Sequence, residues 1–184
     1  RIYPASLTKI MTAILAIENT QDMEEVMTLP MDFFSKLYIE NASMAGFQPG
    51  EQVRLKDLLY GMLLPSGAEC CLAFCERIAG SEEAFVRLMN QKAGELGLEN
   101  THFSNSTGLH DLEHYSTVKD ISTLLQYALK NEIFRAAFTS SQYSTLPSEQ
   151  HPKGVTFYST MFECIESTKF TGGKIIGGKT GYTK

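Results

Sequence analysis

The chain of 184 residues contains no run of basic residues and no apolar stretch that approaches the thickness of a bilayer. Its formal net charge is −5, whereas nucleic-acid binding depends on clustered Lys and Arg, so nucleic acid is not an expected partner. A transmembrane helix needs about 20 consecutive apolar residues. We therefore expect membrane contact only through segments outside these residues.

Cysteine is scarce, and no C-x-x-C pair is present. Three of the four cysteines, Cys70, Cys71 and Cys75, lie close together, and Cys164 stands apart. A disulfide framework is not expected from this clustered distribution in a chain of this size. We expect small buried apolar side chains instead.

No H-E-x-x-H motif is present either. His110 and His114 are four residues apart, the spacing of zinc ligands on a helix, but Gly108 and Asp111 are unfavourable for a helix there. We predict a structural loop at this place. Neither a metal site nor a cofactor is expected.

What remains is an ordinary globular composition, with 43% hydrophobic and 20% charged residues. The length suits one domain, and the order of patterns predicts the α+β class. We expect a mostly helical lobe over about 20–140 and a sheet-forming segment over about 141–184. Helices are predicted over about 6–18, 55–63, 65–79, 82–96, 117–129 and 131–138, and strands over 26–29, 52–54, 142–146, 154–158 and 173–182.

The first predicted helix carries Ser6 and Lys9 one turn apart, on the face that continues into Ile10 and Ala13. A lysine on an apolar face would be desolvated, which disfavours its ammonium form and lowers its pKa. A neutral amine beside a hydroxyl is a general base beside a nucleophile. The S-x-x-K spacing alone occurs by chance in many helices.

Two further motifs raise its significance, namely Ser66-Gly67 and Lys179-Thr180-Gly181, which follow in that order. With Ser6 and Lys9 they match the S-x-x-K, S-D-N and K-T-G signature of penicillin-binding proteins and class A β-lactamases, the middle motif being altered. Lys179 would add a positive charge that lowers the pKa of Lys9 and attracts a carboxylate.

Four longer segments extend this signature from one end of the chain to the other. They are YPASLTKIMT at 3–12, LLYGMLLPSGAE at 58–69, NSTGLHDLEHYSTVKDI at 105–121 and GGKTGYT at 177–183. Through them the chain resembles the D-alanyl-D-alanine carboxypeptidases, the low-molecular-weight penicillin-binding proteins of serine peptidase family S11. The resemblance implies a fold like that of serine β-lactamases, with a helical lobe packed on an antiparallel sheet.

The resemblance also implies a function, which is removal of the terminal D-alanine of peptidoglycan stem peptides through an acyl-enzyme. β-Lactams are the implied covalent inhibitors, and the cell envelope outside the cytoplasm is the implied location. Ser6 would be the nucleophile, Lys9 its base and Ser66 a proton relay to the leaving amine. Lys179, Thr180, Gly181 and Tyr182 would line the substrate cleft: Thr180 would hold the terminal carboxylate, and the N–H groups of Ser6 and Tyr182 would form an oxyanion hole.

The chain departs from the family at Ala68, where the middle motif usually carries asparagine. A methyl group cannot replace the hydrogen bonds of that amide, which are worth on the order of 1–3 kcal/mol, or about ten- to a hundredfold in rate. Family members also carry further strands on both sides of these residues. We therefore expect the chain to be a cut-down piece of a longer protein with an incomplete sheet.

Two alternatives remain open. A serine β-lactamase-like hydrolase would need a positioned carboxylate to activate water, and Glu95 and Glu99 lie in no such motif. A catalytically weakened domain that binds wall peptides is favoured by Ala68 and by the short flanks.

Overall fold

A computed structural model describes residues 1–182, apart from the side chain of Phe33. A 3-10 helix over Ala5–Thr8 opens the chain and leads into the first α-helix. No helix within residues 1–182 is both long and apolar enough to cross a bilayer. The α-helices are α1 Lys9–Glu18, α2 Asp32–Ile39, α3 Leu55–Leu63, α4 Ala68–Ala79, α5 Glu82–Glu95, α6 Val118–Ala128, α7 Glu132–Phe138 and α8 Thr160–Glu163.

Helix α1 lies at the centre of the molecule. Nine of its ten residues, from Lys9 to Ile17, are buried, because α3, α4, α5, α6 and α7 all pack around it. The prediction of one apolar face on this helix was therefore too weak, since a helix enclosed by neighbours on all sides has no solvent face. As a result, Lys9 enters the core of the protein.

The helix ends follow the predicted signals. Helix α4 stops at Gly80, whose φ of 74° is the left-handed conformation that glycine adopts freely. The hydroxyl of Ser81 accepts a hydrogen bond from the N–H of Ala84 and begins α5, and Thr117 begins α6 in the same way. The apolar spacing of this helix predicts an inward-facing Val118, which was wrong: the side chain lies in the first turn of α6 and is exposed.

The strands form three separate antiparallel pairs among the described residues. The strands predicted over 26–29 and 52–54 are confirmed, and they pair with each other in the register Val26↔Arg54. The predicted strand over 173–182 was wrong beyond its first two residues. Residues 175–182 belong to no ladder, since no strand within residues 1–182 lies alongside them. The pairs are β1 Val26–Thr28 with β2 Gln52–Arg54, β3 Gln142–Ser144 with β4 Thr156–Tyr158, and β5 Lys169–Phe170 with β6 Gly173–Lys174.

The long loop between α5 and α6 crosses the start of the chain and is fastened to α1. Ile2 pairs with Ser116 in an antiparallel bridge. The hydroxyl of Thr12, buried on α1, donates a 2.7 Å hydrogen bond to the carbonyl oxygen of Ser106. These contacts bring residues 105–109 over the N-terminal end of α1, where Ser6 and Lys9 lie.

His110 and His114, both in this loop, have different neighbours. Nδ1 of His114 accepts the N–H of Ser104, so Nε2 carries the proton and donates to Oγ1 of Thr8 over 2.6 Å. Burial lowers the pKa of His114 to about 4, which keeps its ring neutral at neutral pH. The ring of His110 packs edge-on against Tyr3. The loop is not helical, as predicted, so the two rings do not share the helix face that a zinc site would need.

Candidate active site

Ser6 and Lys9 meet at the junction between the 3-10 helix and α1. Residues three apart eclipse one another in a 3-10 turn, and here the hydroxyl Oγ of Ser6 lies 3.0 Å from Nζ of Lys9. Ala5, directly before the serine, has a φ of 48°, an uncommon conformation for a residue with a side chain. A strained residue next to a candidate nucleophile is often part of a functional site.

The amine of Lys9 is almost completely enclosed, with 3% of the residue exposed. Its second contact is the carbonyl oxygen of Thr107, 2.6 Å away in the loop that crosses α1. Burial is the main cause that lowers the pKa of Lys9, and the buried side chains of Cys71 and Glu69 oppose the shift without reversing it. A neutral amine can donate one hydrogen to Thr107 and still offer its lone pair to the hydroxyl proton of Ser6.

Ser66 and Lys179 form a second hydroxyl–amine pair. Ser66 is buried in the turn before α4, and its φ of 72° turns the backbone sharply there. Nζ of Lys179 donates to Oγ of Ser66 over 2.9 Å and to the carbonyl oxygen of Thr180 over 3.0 Å. Burial, followed by the charge of Lys9, lowers the pKa of Lys179 to about 7. The charge repulsion that the sequence predicts for Lys9 thus contributes to the lowered pKa of Lys179, whereas the lowered pKa of Lys9 is caused by burial.

The segment from Thr180 to Tyr182 closes the site beside the 3-10 helix. A Cβ atom on Gly181 would lie 3.2 Å from the backbone nitrogen of Ser6, so the backbone approaches the serine as closely as a glycine allows. The side chain of Tyr182 is exposed. Thr183, the last residue of the GGKTGYT segment, lies outside the described residues.

These residues surround one cleft of about 660 Å³. Ser6, Lys9, Ser66, Thr180, Gly181 and Tyr182 line it, and Lys179 reaches it through Ser66. The structure thus brings together every site residue predicted from the sequence. No group of three or more His, Cys, Asp or Glu side chains in residues 1–182 is close enough to hold a metal ion.

Thr107 and Thr160 are cleft residues that hydrogen-bond to predicted site residues and were not themselves predicted. Thr107 contributes its backbone carbonyl, which leaves no signature in the sequence. Thr160, at the start of α8, brings its hydroxyl to 2.6 Å from the hydroxyl of Thr180. A single threonine in a region of ambiguous pattern gave no reason to select it, because only the chain fold brings it next to the K-T-G segment.

Ala68 forms an apolar part of the cleft wall. It is buried against Leu37 and Leu72, and its N–H donates a 2.8 Å hydrogen bond to the carbonyl oxygen of Ser43. No side-chain amide stands at this position to face Lys9 or a bound peptide. The site therefore has both hydroxyl–amine pairs but lacks one polar group of the expected middle motif.

A sequence profile of D-alanyl-D-alanine carboxypeptidases matches residues 1–184. The chain belongs to the D-alanyl-D-alanine carboxypeptidase family. The carboxypeptidase DacF of Bacillus subtilis (strain 168) is 38% identical over 187 residues, which cover 100% of this chain and 45% of that protein. DacA of Escherichia coli (strain K12) is 34% identical over 134 residues, which cover 70% of this chain and 33% of that protein.

A solved structure of a DD-transpeptidase shows the same fold. The crystal structure of the Streptomyces K15 DD-transpeptidase superposes with a TM-score of 0.84 at 27% sequence identity, covering 97% of this chain and 70% of that one. This agreement confirms the predicted α+β fold of the DD-peptidases. The chain spans about half the length of two carboxypeptidases that it matches: 45% of DacF and 50% of the D-alanyl-D-alanine carboxypeptidase of Streptomyces sp. (strain K15).

Gly108 makes a sharp test of how the loop positions the nucleophile. Its φ is 84°, and a Cβ atom there would collide with the carbonyl oxygen of Ala5. We expect Gly108→Ala to destabilise the fold by about 2–4 kcal/mol in urea unfolding, because both the backbone strain and the collision act at once. It should also slow the labelling of Ser6 by benzylpenicillin by about a hundredfold, because Ala5, directly before the candidate nucleophile, is displaced.

Gly94 supplies the matched control for this substitution. It lies in α5 with open space around its Cα, so Gly94→Ala should leave acylation unchanged and stabilise the fold by up to about 1 kcal/mol. Equal stability of the Gly108→Ala and Gly94→Ala proteins would contradict the close approach of Gly108 to Ala5.

Lys179 should make the stability of the protein depend on pH. Its pKa is about 7 in the folded state against an ordinary value of 10.5, so the unfolded state binds more protons between these two values. This contribution to the free energy of unfolding therefore rises from about pH 7 to about pH 10.5 and is constant below about pH 7. We expect the stability of the wild type, measured relative to Lys179→Met by urea denaturation, to rise across that window.

An exposed lysine after α6, Lys130, gives the control variant Lys130→Met. If the wild type and Lys179→Met keep a constant difference from neutral to alkaline pH, the amine of Lys179 is not desolvated as the structure implies.

Proposed function

We propose that this protein is a serine-type D-Ala-D-Ala carboxypeptidase that removes the terminal D-alanine of peptidoglycan stem peptides. The observation that carries the proposal is the 3.0 Å approach of Ser6 Oγ to the buried amine of Lys9. Burial keeps that amine in the form that accepts a proton, and the cleft beside it is open to a peptide. The place of action is the cell envelope outside the cytoplasm, where such peptides occur.

In the first half of the reaction, Lys9 takes the hydroxyl proton of Ser6 and the serine oxygen attacks the carbonyl carbon between the two D-alanines. The backbone N–H groups of Ser6 and Tyr182 stabilise the oxyanion, since Gly181 lets the two segments lie side by side. Ser66, hydrogen-bonded to Lys179, passes its hydroxyl proton to the amine of the departing D-alanine and receives in exchange the proton that Lys9 took from Ser6, so that Lys9 is neutral again. An ester between Ser6 and the shortened peptide remains.

In the second half, a water molecule attacks this ester, and Lys9 accepts a proton from the water and returns it to Ser6. Thr180 donates a hydrogen bond to the terminal carboxylate of the incoming substrate, and Lys179 supplies a positive charge near it. A β-lactam carries a strained amide and a carboxylate at matching positions. It would therefore acylate Ser6 in the same way.

The decisive experiment is intact-mass measurement after incubation with benzylpenicillin. We expect the protein to gain the mass of one antibiotic molecule, and we expect Ser6→Ala to gain none. Lys9→Met should be labelled about 10²–10⁴ times more slowly, because it has lost its general base. Ser35→Ala, a substitution of an exposed serine on α2, is the matched control and should be labelled like the wild type.

Labelling of Ser6→Ala at the wild-type rate would overturn the assignment of the nucleophile. Rapid release of hydrolysed antibiotic would instead identify a β-lactamase-like hydrolase. D-alanine release from a stem-peptide analogue, measured on the same preparations, completes the test of the carboxypeptidase reaction.

A second candidate, a wall-peptide-binding domain of low activity, is favoured by one observation, the methyl group of Ala68 in the cleft wall. If that methyl group limits the rate, Ala68→Asn should accelerate acylation by about ten- to a hundredfold, as expected for one restored hydrogen bond of 1–3 kcal/mol. Ala68→Leu, similar in size but without an amide, is the control and should bring no acceleration. An Ala68→Asn protein that is folded and no faster would show that the missing amide does not limit this enzyme.

A further inference from the structure

Thr160 links two walls of the cleft that are distant in sequence. Its N–H donates to the carbonyl oxygen of Leu64 over 3.3 Å, just before the turn that carries Ser66. Its hydroxyl lies 2.6 Å from the hydroxyl of Thr180. Thr160 also lines the cleft itself, together with Ser6. The residue is therefore placed between the turn of the middle motif and the K-T-G segment.

The direction of the hydrogen bond between the two threonines has a chemical consequence. Each hydroxyl has one hydrogen to donate and can accept from others. If Thr180 donates to Thr160, it has no hydrogen left for an anionic ligand. If Thr160 donates to Thr180, the hydroxyl hydrogen of Thr180 is free to point into the cleft.

The surroundings favour donation by Thr160. Its other acceptor, the carbonyl oxygen of Leu64, lies at 3.5 Å from the hydroxyl, too long to compete with a contact of 2.6 Å. The amine of Lys179 donates a hydrogen bond to the carbonyl oxygen of Thr180 instead of to the hydroxyl. Once an anion is bound, donation by Thr160 also lets both hydroxyls act as donors in one chain, which strengthens each bond.

We propose that Thr160 is a positioning residue that sets the selectivity of the cleft for ligands with a terminal carboxylate. By donating to Thr180, it directs the hydroxyl hydrogen of Thr180 toward that carboxylate and holds it there. The inference rests on the proposed carboxypeptidase function and adds to it the residue that orients the carboxylate donor. When the donor of a hydrogen bond to a charged group loses its orientation, binding of that group becomes roughly ten- to a hundredfold weaker.

The test compares two probes, benzylpenicillin and its methyl ester, in which the carboxylate of the first is replaced by an uncharged ester one methyl group larger. Acylation rates are measured by intact mass on the protein at its natural length, for the wild type, Thr160→Val and Thr160→Ser. We expect Thr160→Val to slow acylation by benzylpenicillin by about tenfold or more and to change acylation by the ester by less than about twofold. Thr160→Ser keeps the hydroxyl and should restore most of the selectivity.

A purely structural role for Thr160 would slow both probes alike, because a displaced cleft wall affects acylation whatever the charge of the ligand. That outcome, or equal rates in Thr160→Val and the wild type for both probes, overturns the proposal. The double variant Thr160→Val/Thr180→Val should be no slower than Thr180→Val alone, since Thr160 acts through Thr180. Independent, additive losses would also overturn it.

Failure of the proposed function has a different signature. A wild-type protein that neither probe acylates is not a penicillin-reactive peptidase. In that case binding is measured directly, with a peptide ending in D-Ala-D-Ala and with its C-terminal amide, by calorimetry. Thr160→Val should lower the preference for the free carboxylate by about tenfold. A preference equal to that of the wild type would contradict the role of Thr160 independently of any catalysis.

Discussion

The central constraint on this structure is an amine buried at the start of its most enclosed helix. An isolated ammonium ion is very costly to remove from water, so burial lowers the pKa of a lysine in such a place and favours its uncharged form. Among the described residues, the amine of Lys9 has hydrogen bonds to the hydroxyl of Ser6 and to the carbonyl oxygen of Thr107. The loop that supplies Thr107 must therefore cross the start of α1, and Gly108 permits the crossing because it has no Cβ to meet Ala5.

The second lysine shows how one residue type can serve two purposes in one cleft. Lys179 has a pKa of about 7, so at neutral pH both of its forms are present. An arriving carboxylate favours the charged form, since opposite charges nearby stabilise each other. The amine of Lys179 can therefore hold an anion in its charged form and accept a proton in its neutral form.

Local chemistry made much of this fold predictable. The Ser81 and Thr117 caps, the Gly80 stop and the pairing of β1 with β2 all depend on residues close together in sequence or on simple alternation. The Ser6–Lys9 pair was predictable for the same reason, because helical geometry alone brings the two side chains together. Features of this kind are determined by residues that lie within a few positions of one another.

Features that depend on distant partners were not predictable from the sequence. The segment over 175–182 has the composition of a strand, yet a strand exists only where a neighbour supplies its hydrogen bonds. The carbonyl of Thr107 and the hydroxyl of Thr160 enter the site because loops deliver them there. Helix α2 is a similar case: its short apolar pattern does not by itself distinguish a helix from a strand, and the helix packs against α4.

The middle motif shows that the same few residues can serve the cleft or the core. Glu69 is fully buried, and its Oε1 accepts hydrogen bonds from the N–H groups of Ala45 and Gly46, which fixes the loop along the cleft wall. Its Oε2 has no hydrogen-bond partner among the described residues, and burial raises the pKa of the carboxyl group, because the charged form is costly away from water. Beside it, Ala68 gives its N–H to Ser43 and packs its methyl group on leucines. The polar bonds around residues 68 and 69 are directed at the loop rather than at a ligand. The cleft wall is therefore held rigidly here, but it presents no amide to a substrate, and the chemistry falls more heavily on the two lysine–serine pairs.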